Sequence, residues 1–250
     1  REVRPMKEND LAILGTIHSL SDQEIKELSF PKGQMIAQRY EIIQLIGAGG
    51  MGAVYLVKDR KLQDDLKAIK IMLPKLIHDP NAKQRFLNEI LVSQKMIHRN
   101  ILRVYDYDQE GSLMFFTMEY IDGMNMREWL KQRQNIALEE IGTLVVELLD
   151  ALELAHKYTV HRDIKPENIL IPRNPIDSKI KICDFGLAQL QNPALMFSTN
   201  QIMGTYNYMA PEQHTDSSKV DRRADLYSVG VLFYEALTGK FPIGRFKLPT

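Results

Sequence analysis

The sequence predicts an α+β chain in which a small antiparallel β lobe carrying one helix is followed by a larger, mostly α-helical lobe. Three observations point there. Between Tyr40 and Met118, short apolar runs rich in β-branched residues alternate with glycine-bearing turns. Beyond Gly123 the period changes to helical, with Ile141, Leu144, Val145, Leu148, Leu149, Leu152 and Ala155 on one stripe. The chain has 250 residues, 44% hydrophobic and 26% charged, which is ordinary for a globular protein with a sizeable core.

Residues 1–38 read as one or two short helices, with Asn9 or Asp10 as an N-cap and Ser21-Asp22-Gln23-Glu24 as a capping box; Pro31-Lys32-Gly33 closes the segment. Ile42, Ile43, Leu45 and Ile46 form a first strand that runs into a glycine cluster, and Val54–Val57 and Ala68–Met72 follow as further strands. Pro80-Asn81 opens a helix through about Met96, and Leu102–Tyr105 and Leu113–Met118 return to strand. In the second half, Ile169–Ile171 and Ile180–Ile182 flank the turn-rich Pro172-Arg173-Asn174-Pro175 and predict a hairpin. Asp221–Leu237 predicts a long apolar helix ended by Thr238-Gly239.

Several classes are excluded by composition. Lys plus Arg (32) equals Asp plus Glu (32), so the basic footprint of a nucleic-acid binder is absent. The most apolar stretch, Leu226–Leu237, is interrupted by Ser228 and Glu235, and no segment reads as a membrane span. Cys183 is the single cysteine, which rules out an intramolecular disulfide and leads us to expect a reducing, cytoplasmic setting. The chain starts at Arg1 without an apolar leader, as a fragment boundary would. His78, His98, His156 and His214 show no metal-ligand spacing.

The chemistry-bearing residues come in a definite order. Gly47-Ala48-Gly49-Gly50-Met51-Gly52 has the G-x-G-x-x-G spacing that lets backbone amides approach phosphate oxygens, although a plain glycine-rich turn has the same look. A dinucleotide fold needs a helix next, whereas Ala53–Val57 reads as a strand, so the glycines belong to a β-hairpin folded over phosphates. Lys70 lies in an apolar strand and needs solvent or a negative partner. Glu89 shares a helix face with Phe86, Ile90 and Ser93 and can point at the sheet, or stand solvated. His161-Arg162-Asp163-Ile164-Lys165-Pro166-Glu167-Asn168 gathers charged and polar side chains on a proline-restricted loop, and Asp184-Phe185-Gly186 supplies an acid able to hold a divalent cation.

Together with Ala210-Pro211-Glu212, these motifs resemble the protein kinases from Tyr40 to about Pro249. Lys165 and the run Gly204-Thr205-x-x-Tyr208-Met209-Ala210-Pro211-Glu212 are similar to the serine/threonine branch, and Met209–Gln213 to its bacterial members. The resemblance implies a bilobal fold: an extension or linker at 1–38, then a kinase domain at 39–250 with a β lobe at 39–118, a hinge at 119–122 and a helical lobe from 123. The family's lobe continues for several helices past the last one here, so C-terminal helices are expected to be missing.

The same resemblance implies ATP with Mg²⁺, or Mn²⁺, as cofactors. Gly47, Ala48, Gly49 and Gly52 would cover the phosphates, and Lys70, oriented by Glu89, would hold two of them. Asn168 and Asp184 would ligate the metal; Asp163 would take the acceptor proton, Lys165 would touch the γ-phosphate and Thr205 would brace both. Met118 becomes the gatekeeper, the Glu119 carbonyl and Ile121 amide bond adenine, and Val54, Ala68 and Leu170 sandwich it, while ordinary core packing explains the apolar ones equally. Arg162 would pair with a phosphate at Ser198 or Thr199, Asp225 would brace the His161-Arg162 backbone or act as an N-cap, and Cys183 would face the nucleotide or fill core. Expected partners are protein substrates with Ser or Thr and a second copy for autophosphorylation. The alternatives are a nucleotide-binding pseudokinase or inactive truncated scaffold, and a small-molecule phosphotransferase.

Overall fold

The computed structural model describes residues 28–49, 52–73, 77, 80–133, 136–176, 178–185, 206–215 and 220–242. The helices expected before Leu28 lie outside them. The chain divides into two compact units: Arg1–Ile90 with Val104–Tyr120, and Leu91–Arg103 with Ile121–Thr250.

The first unit is an antiparallel sheet of β1 (Met35–Ile36), β2 (Tyr40–Gly49), β3 (Gly52–Asp59), β4 (Asp65–Met72), β5 (Val104–Glu110) and β6 (Leu113–Glu119), in the order β1-β2-β3-β4-β6-β5. Helix α1 (Pro80–Lys95) begins at the expected Pro80. The strand expected from Leu102 starts instead at Val104, because the Leu102 amide is committed elsewhere, donating to the Ile182 carbonyl at 2.8 Å.

Cross-strand register separates the two faces of this sheet, since directly paired residues point the same way. Val54, Lys70 and Phe116 are paired in a row, as are Leu56, Ala68 and Met118. Phe86 of α1 lies with its ring centroid 5.6 Å from that of Phe116, so the helix covers the Lys70 face. The opposite face carries Tyr40, Ile42, Tyr55, Val57, Ile69, Ile71 and Phe115, all buried in one cluster with Leu28 and Ile36. A sheet apolar on both faces needs two covers, and residues 28–36 supply part of the second.

Residues 28–38 are therefore not helical. Pro31 and Gly33 (φ 86°) turn the chain, after which Met35 and Ile36 pair with Glu41 and Tyr40. The Tyr55 hydroxyl donates to the Leu28 carbonyl and accepts from the Phe30 amide at 3.2 Å, while the two rings meet edge-on with centroids 5.7 Å apart. Leu28→Ala should lower the unfolding free energy by ~2–3 kcal/mol through the cavity it leaves, read from urea titrations; a parent-like midpoint would show that the strap carries no stability.

Where β2, β3 and β4 begin and end, Asp59 is fully buried and ion-paired. It accepts from Arg39 Nε and Nη2 at 2.9 and 2.8 Å, from Lys67 Nζ at 2.7 Å and from the Lys61 amide at 3.1 Å. Burial pushes its carboxyl up, but the Arg39 and Lys67 bonds outweigh burial and hold it well below the usual carboxylate range. A depressed folded value contributes stability above the unfolded value of about 4, and that contribution is lost as pH falls below it. The melting temperature should thus drop on acidification from about pH 5 to pH 3 more steeply in the parent than in Asp59→Asn. Parallel acid profiles would dismiss this pairing as the cause.

The second unit contains β7 (Gly123–Asn125), α2 (Met126–Lys131), α3 (Leu138–Ala155), a 3₁₀ turn (Pro166–Asn168), β8 (Ile169–Pro172), β9 (Lys181–Ile182), α4 (Pro211–Thr215) and α5 (Arg223–Thr238). The expected hairpin forms, with Ile169 opposite Ile182, and β7 joins its other edge. Gly123 is required there: a Cβ would stand 2.1 Å from the Ile171 carbonyl oxygen. The predicted stripe of α3 buries Ile141, Leu144, Leu148, Ala151, Leu152 and Ala155, whereas Leu149 is exposed at the edge of the stripe. Gly239 ends α5 in the left-handed region (φ 66°), its amide bonded to the Glu235 carbonyl at 2.7 Å.

Candidate active site

In the first unit the glycine run is the tip of the β2–β3 hairpin, with Gly47 opposite Val54, Ala48 opposite Ala53 and Gly49 opposite Gly52. Gly52 (φ 153°) tolerates no side chain, because a Cβ would lie 1.9 Å from the Ile71 carbonyl oxygen. Gly50 and Met51 lie outside the described residues. Val54, Ala68, Lys70 and Met118 all fall on the α1-covered face of the sheet, Lys70 being only 6% exposed. Glu119 ends β6 opposite Lys67. Glu89 sits on α1 one turn after Phe86, and its side chain lies outside the described residues.

In the second unit Ile121 leads into β7, and Leu170 is half-buried in β8 between Asn125 and Lys181. Between α3 and β8 the chain gathers three predicted site residues. Asp163 Oδ2 accepts from Lys165 Nζ at 2.9 Å and from Asn168 Nδ2 at 3.0 Å. Asn168 Nδ2 also donates to the Asp163 carbonyl at 2.8 Å, which turns its amide oxygen away from Asp163. The 3₁₀ turn opened by Pro166 brings Asn168 back to Asp163, and the Asn168 carbonyl accepts from the Cys183 amide at 3.0 Å and from its Sγ at 3.4 Å. Asp184 is thereby joined, one residue on, to the same loop. Thr205, Ser198, Thr199 and Gly186 lie outside the described residues.

Two non-glycine residues lie in the left-handed region here, Arg162 in this loop (φ 66°) and Asp184 just after β9 (φ 59°). Such a conformation costs ~1–3 kcal/mol per residue and persists only where neighbours enforce it. Asp225, fully buried in the first turn of α5, accepts from the His161 amide at 2.9 Å, the Arg162 amide at 2.7 Å and His156 Nε2 at 2.8 Å. It braces the loop instead of capping its helix, whose N-cap position is Arg222. His161 links the two strained points: Nδ1 accepts from the Asp163 amide at 3.2 Å and Nε2 donates to the Cys183 carbonyl at 3.0 Å, with its ring 4.6 Å from Phe185.

Sequence reasoning missed several supports. Gln213 accepts from the Ala210 amide at 3.0 Å and donates to the Arg162 carbonyl at 2.9 Å, joining α4 to the loop. His156 shows no metal-ligand spacing, yet a polar residue closing an apolar helical stripe is a signal for a buried partner, here Asp225. Arg127, Glu167, Tyr208 and Glu235 form a network that no linear spacing announces. Among the described residues there is no cluster of three or more His, Cys, Asp or Glu for a metal. The hard oxygen donors Asn168 and Asp184 suit Mg²⁺, which keeps several waters and takes further ligands from phosphates.

The sequence family described as the protein kinase domain matches residues 40–247. Similar proteins include the probable serine/threonine-protein kinase PknB of Lactococcus lactis, 34% identical over 211 residues, covering 84% of this chain and 33% of that protein. Serine/threonine-protein kinase A of Synechocystis sp. is 36% identical over 225 residues, covering 84% and 42%. The chain thus spans between about a third and two fifths of the length of these two relatives. Among solved structures, the Mycobacterium tuberculosis PknI kinase domain (C20A_R136N double mutant) superposes with a TM-score of 0.69 at 27% identity, covering 86% of this chain and 81% of that one. With the family matched over residues 40–247, most of this chain, and the fold shared with a solved kinase domain, this chain belongs to the protein kinase family.

Proposed function

We propose that the chain transfers the γ-phosphoryl group of ATP to serine or threonine hydroxyls of proteins. The observation that carries this reading is the Asp163 carboxylate, held at 2.9 Å by Lys165 and at 3.0 Å by Asn168 on a strained, braced loop. Bound Mg-ATP would supply the phosphoryl group and the cation that neutralises it. Because that group passes nearly as free metaphosphate, the protein's work is positioning and charge stabilisation.

Asp163 receives the acceptor hydroxyl's hydrogen bond and takes its proton, Lys165 faces the transferred group, and Asn168 with Asp184 offers oxygens to the cation. Lys70, oriented by Glu89, binds the nucleotide phosphates, and the backbone of Gly47, Ala48, Gly49 and Gly52 covers them. In the first unit Val54, Ala68, Met118 and the Glu119 carbonyl are the proposed adenine contacts, and in the second Leu170 and the Ile121 amide. Thr205 supports Asp163 and Lys165. Autophosphorylation at Ser198 or Thr199 between two copies fits the buried Arg162 Nε, which has no hydrogen-bond partner among the described residues. Among the described residues no helix is long and apolar enough to cross a membrane.

The test is intact mass and phosphosite mapping after incubation with Mg-ATP, for the parent and Lys70→Met side by side. Phosphate on Ser or Thr of the parent alone supports the proposal. An unmodified parent that also leaves a generic protein substrate unmodified sinks it.

A further inference from the structure

Arg127, on α2, belongs to none of the motifs, yet it joins three other parts of the second unit. Its Nε donates to Glu167 Oε1 at 2.8 Å, in the turn that ends at Asn168. Nη1 donates to Glu235 Oε1 on α5 at 2.5 Å, and Nη2 to the Tyr208 hydroxyl at 2.5 Å, shortly before α4. Tyr208 in turn donates to Glu235 Oε2, and its ring centroid lies 5.8 Å from the guanidinium carbon. Burial first, then the bond to Glu235, pushes the Tyr208 phenol far above its ordinary range, so it remains a donor.

The network is unevenly buried. Side-chain exposure is 21% for Arg127 and 11% for Glu235, but 44% for Glu167. Glu235 therefore needs a charge partner for stability, whereas Glu167, open to water, does not. The Arg127–Glu167 bond consequently does something other than neutralise a buried charge: it ties the reactive loop to the helical frame. Glu167 directly precedes Asn168, and Asn168 bonds the Asp163 carboxylate at 3.0 Å, so freedom at Glu167 is passed to Asp163 through one residue and one hydrogen bond. A planar fork with three donor nitrogens aimed at three elements is also a geometry that lysine cannot copy.

We propose that Arg127 is a positioning residue for phosphoryl transfer, holding the Glu167-Asn168 turn, and with it Asp163, against α5 and the Tyr208 segment. The role rests on the kinase reading above. Its loss lowers kcat far more than it raises the nucleotide KM, because Arg127 touches neither Lys70, the glycine hairpin nor the residues assigned to adenine and reaches the cation's ligands only through the Asn168 turn.

The experiment compares the parent with Arg127→Met, Arg127→Lys and Arg127→Met/Glu235→Gln, measuring kcat, both KM values, the melting temperature and hydrogen exchange of the Asn168 amide, which bonds the Lys165 carbonyl at 3.0 Å. The double variant removes the buried charge together with its partner and keeps the comparison valid if the single variant folds poorly. The expected result is a kcat lower by about tenfold to a hundredfold in both Met variants, faster Asn168 exchange, an ATP KM within about twofold of the parent, and only partial rescue by Lys. A double variant with parental kcat and exchange overturns the tether and leaves Arg127 as mere neutralisation. A parent that transfers no phosphate overturns the kinase reading and this role with it, a failure visible in the parent alone.

Discussion

Asn in place of Asp163 should lower the phosphate-transfer rate by roughly 10²–10⁴-fold while leaving nucleotide binding in place. The side chain accepts from Lys165 Nζ at 2.9 Å and Asn168 Nδ2 at 3.0 Å, so its position is set before any substrate arrives. An amide of the same volume keeps the packing, yet it cannot take a proton, and its NH₂ group, if turned toward Lys165 or Asn168, meets a donor with a donor. Binding should survive because the residues proposed to hold the nucleotide phosphates, Lys70 and the glycine hairpin, belong to the sheet. The measurement is the initial rate of phosphate incorporation, with the Mg-ATP-dependent rise in melting temperature as the binding control. A rate within about tenfold of the parent would remove Asp163 from the proton-transfer role.

Asp225→Ala should cost about 3–5 kcal/mol of stability and most of the activity together. Its carboxylate is fully buried and accepts three bonds, two of them from consecutive backbone amides at His161 and Arg162. Alanine leaves both amides buried without an acceptor, and it frees Arg162 to leave its left-handed conformation at φ 66°. Relaxation there shifts the next residue, Asp163, so kcat should fall beyond what partial unfolding explains. Urea unfolding and kcat, both measured well below the melting temperature, separate the two effects. Asp225→Asn, which keeps one acceptor oxygen, should lie between alanine and parent. An alanine variant with parental kcat after correction for folded fraction would confine Asp225 to stability.

Much of this is legible in the amino-acid sequence alone. The β2–β3 hairpin, α1 from Pro80, the Ile169–Ile182 hairpin and α5 ending at Gly239 follow from local signals: alternation, a proline at a helix start, a glycine at a helix end. The loop from His161 to Asn168 was equally visible, since its proline turn and short-range polar residues act within a few positions of one another. What was not visible acts over long separations. Pro31-Lys32-Gly33 shows where the expected helical segment closes, but not that the apolar far face of the sheet, with Tyr55 bonded to the Leu28 carbonyl, recruits residues 28–36 as a strap. Likewise, Gly123 reads as a loop glycine until the Ile171 carbonyl is found to stand where its Cβ would be.

The sequence by itself determined the order of elements, the α+β class and which residues carry chemistry, because these depend on period, turn chemistry and short-range spacing. Only the tertiary structure decided how the reactive loop is held. Asp225 reaches back to His161 and Arg162, Gln213 to the Arg162 carbonyl, and Arg127 to Glu167, Tyr208 and Glu235. Each of those bonds joins residues far apart in the chain, where no periodicity records the pairing and only folding brings donor and acceptor within reach.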